Sequence, residues 1–237
     1  MRNKGVKILA GLVVGFVMAQ VASALPVTFY RVSGYYMADG GEFTLVGTPY
    51  ADNYAAAATV AIGNDVGFQT FCLERNEYVS VPGTYYYDGL DSAAVQGGVG
   101  GGNPDPISWG TAWLYSQFAQ GSLAGYDYTP GSGRSGSAGM LQTAIWYLEQ
   151  EITLANPGGN SFLAAVITQF GSLVDAGSAA AAGAYGVHVI NPVDQYGAYS
   201  QSQLVYTRVA DGGVTLIMLG AGIAVCAALR RKFAASI

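Results

Sequence analysis

Residues 137–152, SAGMLQTAIWYLEQEI, set Leu141, Ala144, Ile145 and Leu148 three, four and seven positions apart. One face of a 3.6-residue period is apolar, which predicts a helix with Ser137 as its N-cap, ended by Asn156-Pro157-Gly158. Ile107–Gln120, with Trp109, Ala112, Trp113 and Phe118, and Ser161–Val174, with Phe162, Ala165, Val166, Phe170 and Leu173, share that period. Upstream the period changes. Val27–Tyr36, Glu42–Gly47, Val66–Glu74 and Glu77–Tyr87 are β-branched or aromatic runs broken by Gly, Pro and Asp, and read as strands. Strand character returns at Tyr185–Ile190 and Leu204–Val209. Strands, a helical insert and strands again predict an α+β domain, a β-sandwich or barrel with a helical lobe inserted. The run Gly97-Gly98-Val99-Gly100-Gly101-Gly102-Asn103-Pro104 lacks the Lys-Ser/Thr ending of a phosphate loop and predicts a flexible surface connection.

Of 237 residues, 51% are hydrophobic and 11% charged, with two cysteines and a net charge of −5. So apolar a chain is not disordered, two cysteines make no disulfide framework, and the negative charge disfavours nucleic acid as a partner. The N-terminus reads as a signal peptide over 1–24: basic Arg2, Lys4 and Lys7, apolar Ile8–Met18, and the small-residue site Ala22-Ser23-Ala24. At the other end, Val214–Leu229 is apolar and is followed at once by Arg230, Arg231 and Lys232. As a helix it reaches about 24 Å against a hydrocarbon core of about 30 Å, enough for a membrane anchor if the arginines snorkel. Val209-Ala210-Asp211-Gly212-Gly213 before it resembles the VPDSG-type variant of PEP-CTERM sorting signals, with Ala210 at the family's proline. That resemblance implies an exosortase-type processing enzyme as a partner; a plain single-span anchor is the alternative. The expected organisation is 1–24 signal peptide, 25–208 extracytoplasmic domain, and 209–237 sorting motif, membrane helix and basic tail.

Between 25 and 208 lie four arginines and no lysine against fourteen acidic residues, so the net charge is 4 − 14 = −10. One cysteine remains, Cys72. A lone thiol in an oxidising compartment is either buried and inert, a nucleophile, or consumed in a bond other than a disulfide. In Gln69-Thr70-Phe71-Cys72-Leu73-Glu74, strict alternation puts Cys72 with Thr70 and Glu74 on the less apolar face. The lone histidine, His188, sits in a strand-like run and makes an incomplete hydrolase with Cys72; one Cys and one His make no closed zinc site. Acids such as Asp105 and Asp127 lie in loops without regular calcium-ligand spacing.

Phe71-Cys72-Leu73-Glu74 and Leu141-Gln142-Thr143-Ala144-Ile145-Trp146 together resemble the thioester domains of bacterial surface adhesins, which carry an aromatic-Cys motif on a strand and a Gln-x-Ala-Ile/Val-Trp motif on a helix. Leu141 stands where that family usually has threonine, and the family's repeat stalk and sortase motif are missing. The resemblance implies that Cys72 and Gln142 are internal thioester partners and that Trp146 occupies the family's tryptophan position. Phe71, Trp109, Trp113 and Trp146 are candidates for a shielding pocket, and backbone N–H groups at the helix start for the oxyanion donors. The expectation is an exported, surface-anchored protein that is not a turnover enzyme and needs no cofactor or metal. It would capture covalently an amine on a surface or matrix macromolecule. The alternative is a non-covalent structural or saccharide-binding matrix protein with Cys72 buried. A domain without lysine is protected from capturing its own copies.

Overall fold

A computed structural model describes residues 24–37 and 40–208. The signal peptide, the sorting motif Val209, Asp211, Gly212 and Gly213, the apolar tail and Arg230, Arg231 and Lys232 lie outside the described residues. Among the described residues, no helix is long and apolar enough to cross a membrane.

The domain is α+β, with antiparallel sheets and helices. Strands β1 (Leu25–Tyr30), β2 (Phe43–Val46), β3 (Thr59–Ile62), β4 (Asp65–Thr70) and β5 (Gly83–Tyr87) form one sheet in the order β3-β4-β2-β1-β5. Two short pairs follow: β6 (Ala93–Ala94) with β7 (Asp105–Pro106), and β8 (Val187–Ile190) with β9 (Gln203–Tyr206). The register sets Val27 against Tyr85, so the buried residues of β1 and β5 fall on one face, and Phe29 meets Tyr85 edge-on at 5.2 Å. Strand β3 was not expected; its run Thr59-Val60-Ala61-Ile62 is short and follows alanines, and it forms by pairing along β4.

Helices α1 (Trp109–Ala119), α2 (Ser132–Leu148), α3 (Ser161–Phe170) and α4 (Leu173–Ala176) close the core over these strands. Ser108 caps α1 by accepting from Thr111 N–H at 3.2 Å, and Asn160 caps α3 through Phe162 and Leu163 N–H. The third predicted helix is broken at Gly171, whose φ of +85° ends α3 before α4 begins. The greatest departure is α2, which starts at Ser132, five residues before the expected cap. Its first turns hold Ser132, Gly133, Gly136 and Gly139, and each glycine disfavours a helix by about 1 kcal/mol. Tertiary contacts decide instead: a side chain on Gly139 would press on Met37 Cγ at 2.9 Å, and Arg134 in the first turn is anchored in the core.

Candidate functional site

Past β4 the chain runs on along β9. Cys72 faces Gln203 across an antiparallel bridge whose hydrogen bonds come from the flanking residues, Leu73 N–H to Ser202 O and Leu204 N–H to Phe71 O. The Cys72 N–H is thereby left outside the ladder. It donates instead to Gln142 Oε1 at 3.2 Å, the Cys72 thiol contacts the same oxygen at 3.2 Å, and Gln142 Nε2 donates to Cys72 O at 2.8 Å. Cys72 is 0% and Gln142 1% exposed, so this exchange is dry. Alternation did not place the thiol on a solvent side, because Thr70, Phe71, Leu73 and Glu74 are buried as well. Burial pushes the Cys72 thiol well above its ordinary value of 9.0 and is only partly offset by the backbone N–H of Cys72 and the Trp146 side chain. A free thiolate is therefore disfavoured there, and any nucleophilic step has to move the thiol proton as it forms the new bond.

A second backbone donor comes from the turn before β2. Gly41 N–H points at Gln142 Oε1 at 3.0 Å. The amide oxygen thus sits between two main-chain N–H groups, the arrangement that steadies a tetrahedral oxyanion. These donors belong to Gly41 and Cys72 and not to the start of a helix: Gln142 lies in the third turn of α2, where the N–H groups are already used. The turn can come this close because it lacks side chains. A Cβ on Gly40 would run into Gln142 Cγ, and one on Gly41 into the Phe71 ring. Gly40→Ala should therefore displace Gln142 and destabilise the fold by about 1–3 kcal/mol, the ordinary cost of overpacking. Thermal unfolding checks it, and a melting temperature equal to that of the wild type would contradict it.

Glu42, next to Gly41, ties the turn to the first turn of α2. Arg134 Nε and Nη2 donate to its two carboxylate oxygens at 2.7 Å each, with both side chains at 2% exposure or less. Tyr126 OH donates to Glu42 Oε1 at 2.6 Å, Arg134 Nη1 donates to Tyr128 O at 2.6 Å, and the guanidinium lies 3.9 Å from the Tyr35 ring centre. The clamp fixes where Gly41 meets Gln142. Nothing in the sequence singled out Glu42, Arg134, Gly40 or Gly41; Arg134 is one of only four basic residues between 25 and 208, which is the one signal that could have drawn notice.

The aromatic candidates divide. Phe71 packs edge-on against Tyr115 and Phe118 and under Gly41, at the site. Trp146, one turn beyond Gln142, is partly buried against the core, and its buried indole N–H has no hydrogen-bond partner. Trp109 meets Tyr185 edge-on and Trp113 meets Phe170 edge-on, both partly buried. His188 Nε2 pairs with Thr207 Oγ1 at 3.1 Å.

Beside the pair lies a cluster of carboxylates. Glu74, two residues past Cys72, is 1% exposed, and its Oε2 has no hydrogen-bond donor; Glu151 accepts from Arg75 N–H at 2.8 Å and Gly100 N–H at 3.0 Å. The glycine-rich run is no loose connection: a Cβ on Gly98 would collide with Glu74 and Glu151, and one on Gly101 with Asp105. Burial, and then the charges of Glu151 and Asp105, push the Glu74 carboxyl from an ordinary 4.5 up to about 9. Burial pushes Glu149, which accepts from Ser108 N–H and Oγ, up to about 7. Both acids hold protons in the folded chain that the unfolded chain has lost. Stability from this source is therefore fully present below about pH 4.5 and is lost as pH rises through 7 and 9. The melting temperature should fall between pH 5 and pH 9, by about 2–4 °C per kcal/mol, and Glu74→Gln should flatten the fall; a profile that rises toward pH 9 would contradict this. Asp105 accepts from Gly102 N–H and Asp127 from Thr129 N–H. Among the described residues, no group of three or more His, Cys, Asp or Glu is arranged to hold a metal ion.

Comparison with protein-family models, curated proteins and solved structures finds no match, so the reading of this site rests on its own geometry.

Proposed function

We propose that Cys72 and Gln142 condense to an internal thioester that captures an amine on a partner covalently, in an exported protein held at the cell surface by its C-terminal segment. The observation that carries the reading is the convergence of three groups on one amide oxygen: Gly41 N–H at 3.0 Å, Cys72 N–H at 3.2 Å and the Cys72 thiol at 3.2 Å. The sulfur touches the oxygen bonded to the acyl carbon, and charge developing on that oxygen meets donors already in place. In bond formation sulfur bonds to Gln142 Cδ, the C–N bond breaks, and the thiol proton leaves on nitrogen as ammonia. In capture an amine nitrogen bonds to Cδ, the C–S bond breaks, and the amine proton ends on sulfur. Each molecule acts once, so this is not turnover catalysis. The field of ten net negative charges between 25 and 208 favours amine-rich partners at short range.

The same reading takes the fold as a β-sandwich or barrel with an inserted helical lobe, bringing a strand-borne cysteine to a helix-borne glutamine. Its export and anchoring rest on the sequence of the two ends. The test is the intact mass of the ectodomain under denaturing conditions. One ammonia below the sequence mass, followed by a methylamine adduct at Gln142 alone, is the expected result. Full sequence mass with an alkylatable thiol would instead favour the non-covalent structural protein with a buried free Cys72.

A further inference from the structure

Strand β5 ends the five-stranded sheet, and a hairpin over 192–200 runs along its free edge. Tyr86 and Val193 exchange both main-chain bonds, Tyr86 N–H to Val193 O at 2.9 Å and Val193 N–H to Tyr86 O at 2.8 Å. Val193 and Tyr199 oppose each other between bonds made by their neighbours, Asp194 N–H to Ala198 O and Ser200 N–H to Pro192 O, at 2.8 Å each. Directly opposed residues of an antiparallel pair project from one face, with Cα atoms about 5.5 Å apart in a pair of the first kind and about 4.5 Å in one of the second. Tyr86, Val193 and Tyr199 therefore form a row whose two tyrosines stand about 10 Å apart. Tyr86 is 38% and Tyr199 50% exposed. The hairpin turn is fixed by Asp194 Oδ1, which accepts from Tyr196 N–H at 2.8 Å and Ala198 N–H at 2.9 Å.

Val193 and Tyr199 also line a cavity of about 300 Å³, together with Tyr87, Asp88, Asp91 and Asn191. Both aspartates are exposed, and Asn191 Nδ2 holds Asp91 Oδ2 at 3.4 Å. None of the four arginines between 25 and 208 lines the cavity, so its charge is of one sign. Tyr87 is 1% exposed, and its hydroxyl has no hydrogen-bond partner.

We infer that the tyrosine row and the acidic cavity beside it bind a cationic polysaccharide, an extended chain of 1,4-linked hexosamine units with free amino groups. Two observations select this occupant. The tyrosine spacing matches the two-residue repeat of an extended β-1,4-linked glycan, so alternate sugars can lay their apolar C–H faces on Tyr86 and Tyr199, while hydroxyls stay in water. The carboxylates of Asp88 and Asp91 complement ammonium groups on the chain and repel an acidic polymer. A platform held by main-chain pairing on a fixed turn loses little freedom when the sugar arrives. The site stands apart from the thioester and needs no covalent step, although such a polymer also carries the primary amines that the thioester reading requires.

Calorimetric titration of the ectodomain with the glucosamine hexasaccharide tests this, with cellohexaose as the uncharged counterpart. The glucosamine chain is expected to bind, and cellohexaose about 10-fold more weakly, as for the loss of two exposed ion pairs. Tyr86→Ala and Tyr199→Ala should each weaken binding of the glucosamine chain by about 10-fold or more. Asp88→Asn/Asp91→Asn should bring its affinity down to that of cellohexaose and leave cellohexaose unchanged. Cys72→Ala should bind as wild type does, which separates this site from covalent capture and keeps the test valid if no thioester forms. Should Tyr86→Ala not fold, Tyr199→Ala, in the hairpin outside the sheet, decides alone. No binding of the glucosamine chain, or undiminished binding without the tyrosines, overturns the inference. Equal affinity for cellohexaose removes the cationic assignment, and a hexalysine peptide held as tightly by the same tyrosines removes the sugar.

Discussion

Cys72→Ala is expected to restore one ammonia to the mass of the ectodomain, abolish methylamine incorporation at Gln142 and lower the melting temperature by on the order of 10 °C. The first two effects are all-or-none. An amide is a poor acyl donor, and the acceleration that makes it react comes from holding one nucleophile against it, a contribution of about 7–11 kcal/mol. Without the sulfur, the two N–H groups on Gln142 Oε1 polarise an amide that nothing attacks. The third effect follows from chain entropy. A bond between positions 70 residues apart constrains the unfolded chain by about 4 kcal/mol, and each kcal/mol is worth about 2–4 °C in a domain of this size. Gln142→Ala should likewise show its own full sequence mass with no ammonia deficit, and match Cys72→Ala in melting temperature. Intact-mass spectrometry and calorimetry on the two variants decide the matter: if wild type and Cys72→Ala differ in mass only by the substituted atoms, no thioester exists.

Breaking the Glu42–Arg134 clamp is expected to have the next largest effect. Arg134→Met leaves a carboxylate buried at 0% exposure with only Tyr126 OH as donor, and an uncompensated buried charge costs about 3–5 kcal/mol. The melting temperature should fall by on the order of 10 °C. A second consequence separates positioning from stability. Glu42 is bonded in sequence to Gly41, so releasing it lets one of the two oxyanion donors drift, and loss of one such donor slows acyl transfer by about 10²–10³-fold. Thioester formation timed by mass after refolding should slow by that order well below the melting temperature. The double variant Glu42→Leu/Arg134→Met should regain much of the stability, since no charge is left unpaired, while formation stays slow. Formation at the wild-type rate in the double variant would show that the clamp does not position Gly41.

How much of this was legible beforehand depends on how local the cause was. The apolar spacing of Leu141, Ala144, Ile145 and Leu148 marks a helix wherever the chain goes, and that helix is present. Its first turns were not legible, because glycine and serine carry no helical signal and the turn is held by Arg134 reaching Glu42, 92 positions away. The glycine-rich run was read as loose for the same reason: glycine signals freedom in sequence, whereas here Gly98 and Gly101 are glycine because the carboxylates of Glu74, Glu151 and Asp105 leave no room for a Cβ. Trp109 and Trp113 are indistinguishable from Trp146 by residue type, and only packing sends them to Tyr185 and Phe170.

The amino-acid sequence by itself determined the order of strands, then helices, then strands and the apolar face of α2, left one thiol and no lysine between 25 and 208, and set Gln142 and Trp146 one turn apart, since each of these follows from residue type and short-range period. Tertiary structure alone decided that Cys72 N–H escapes the sheet, that Gly41 completes the pair of donors on Gln142 Oε1, and that a buried ion pair holds the turn in place. Those contacts join residues 70 to 101 positions apart, and at that separation it is the closure of the whole core, with its burial and its exclusion of water, that selects which groups meet.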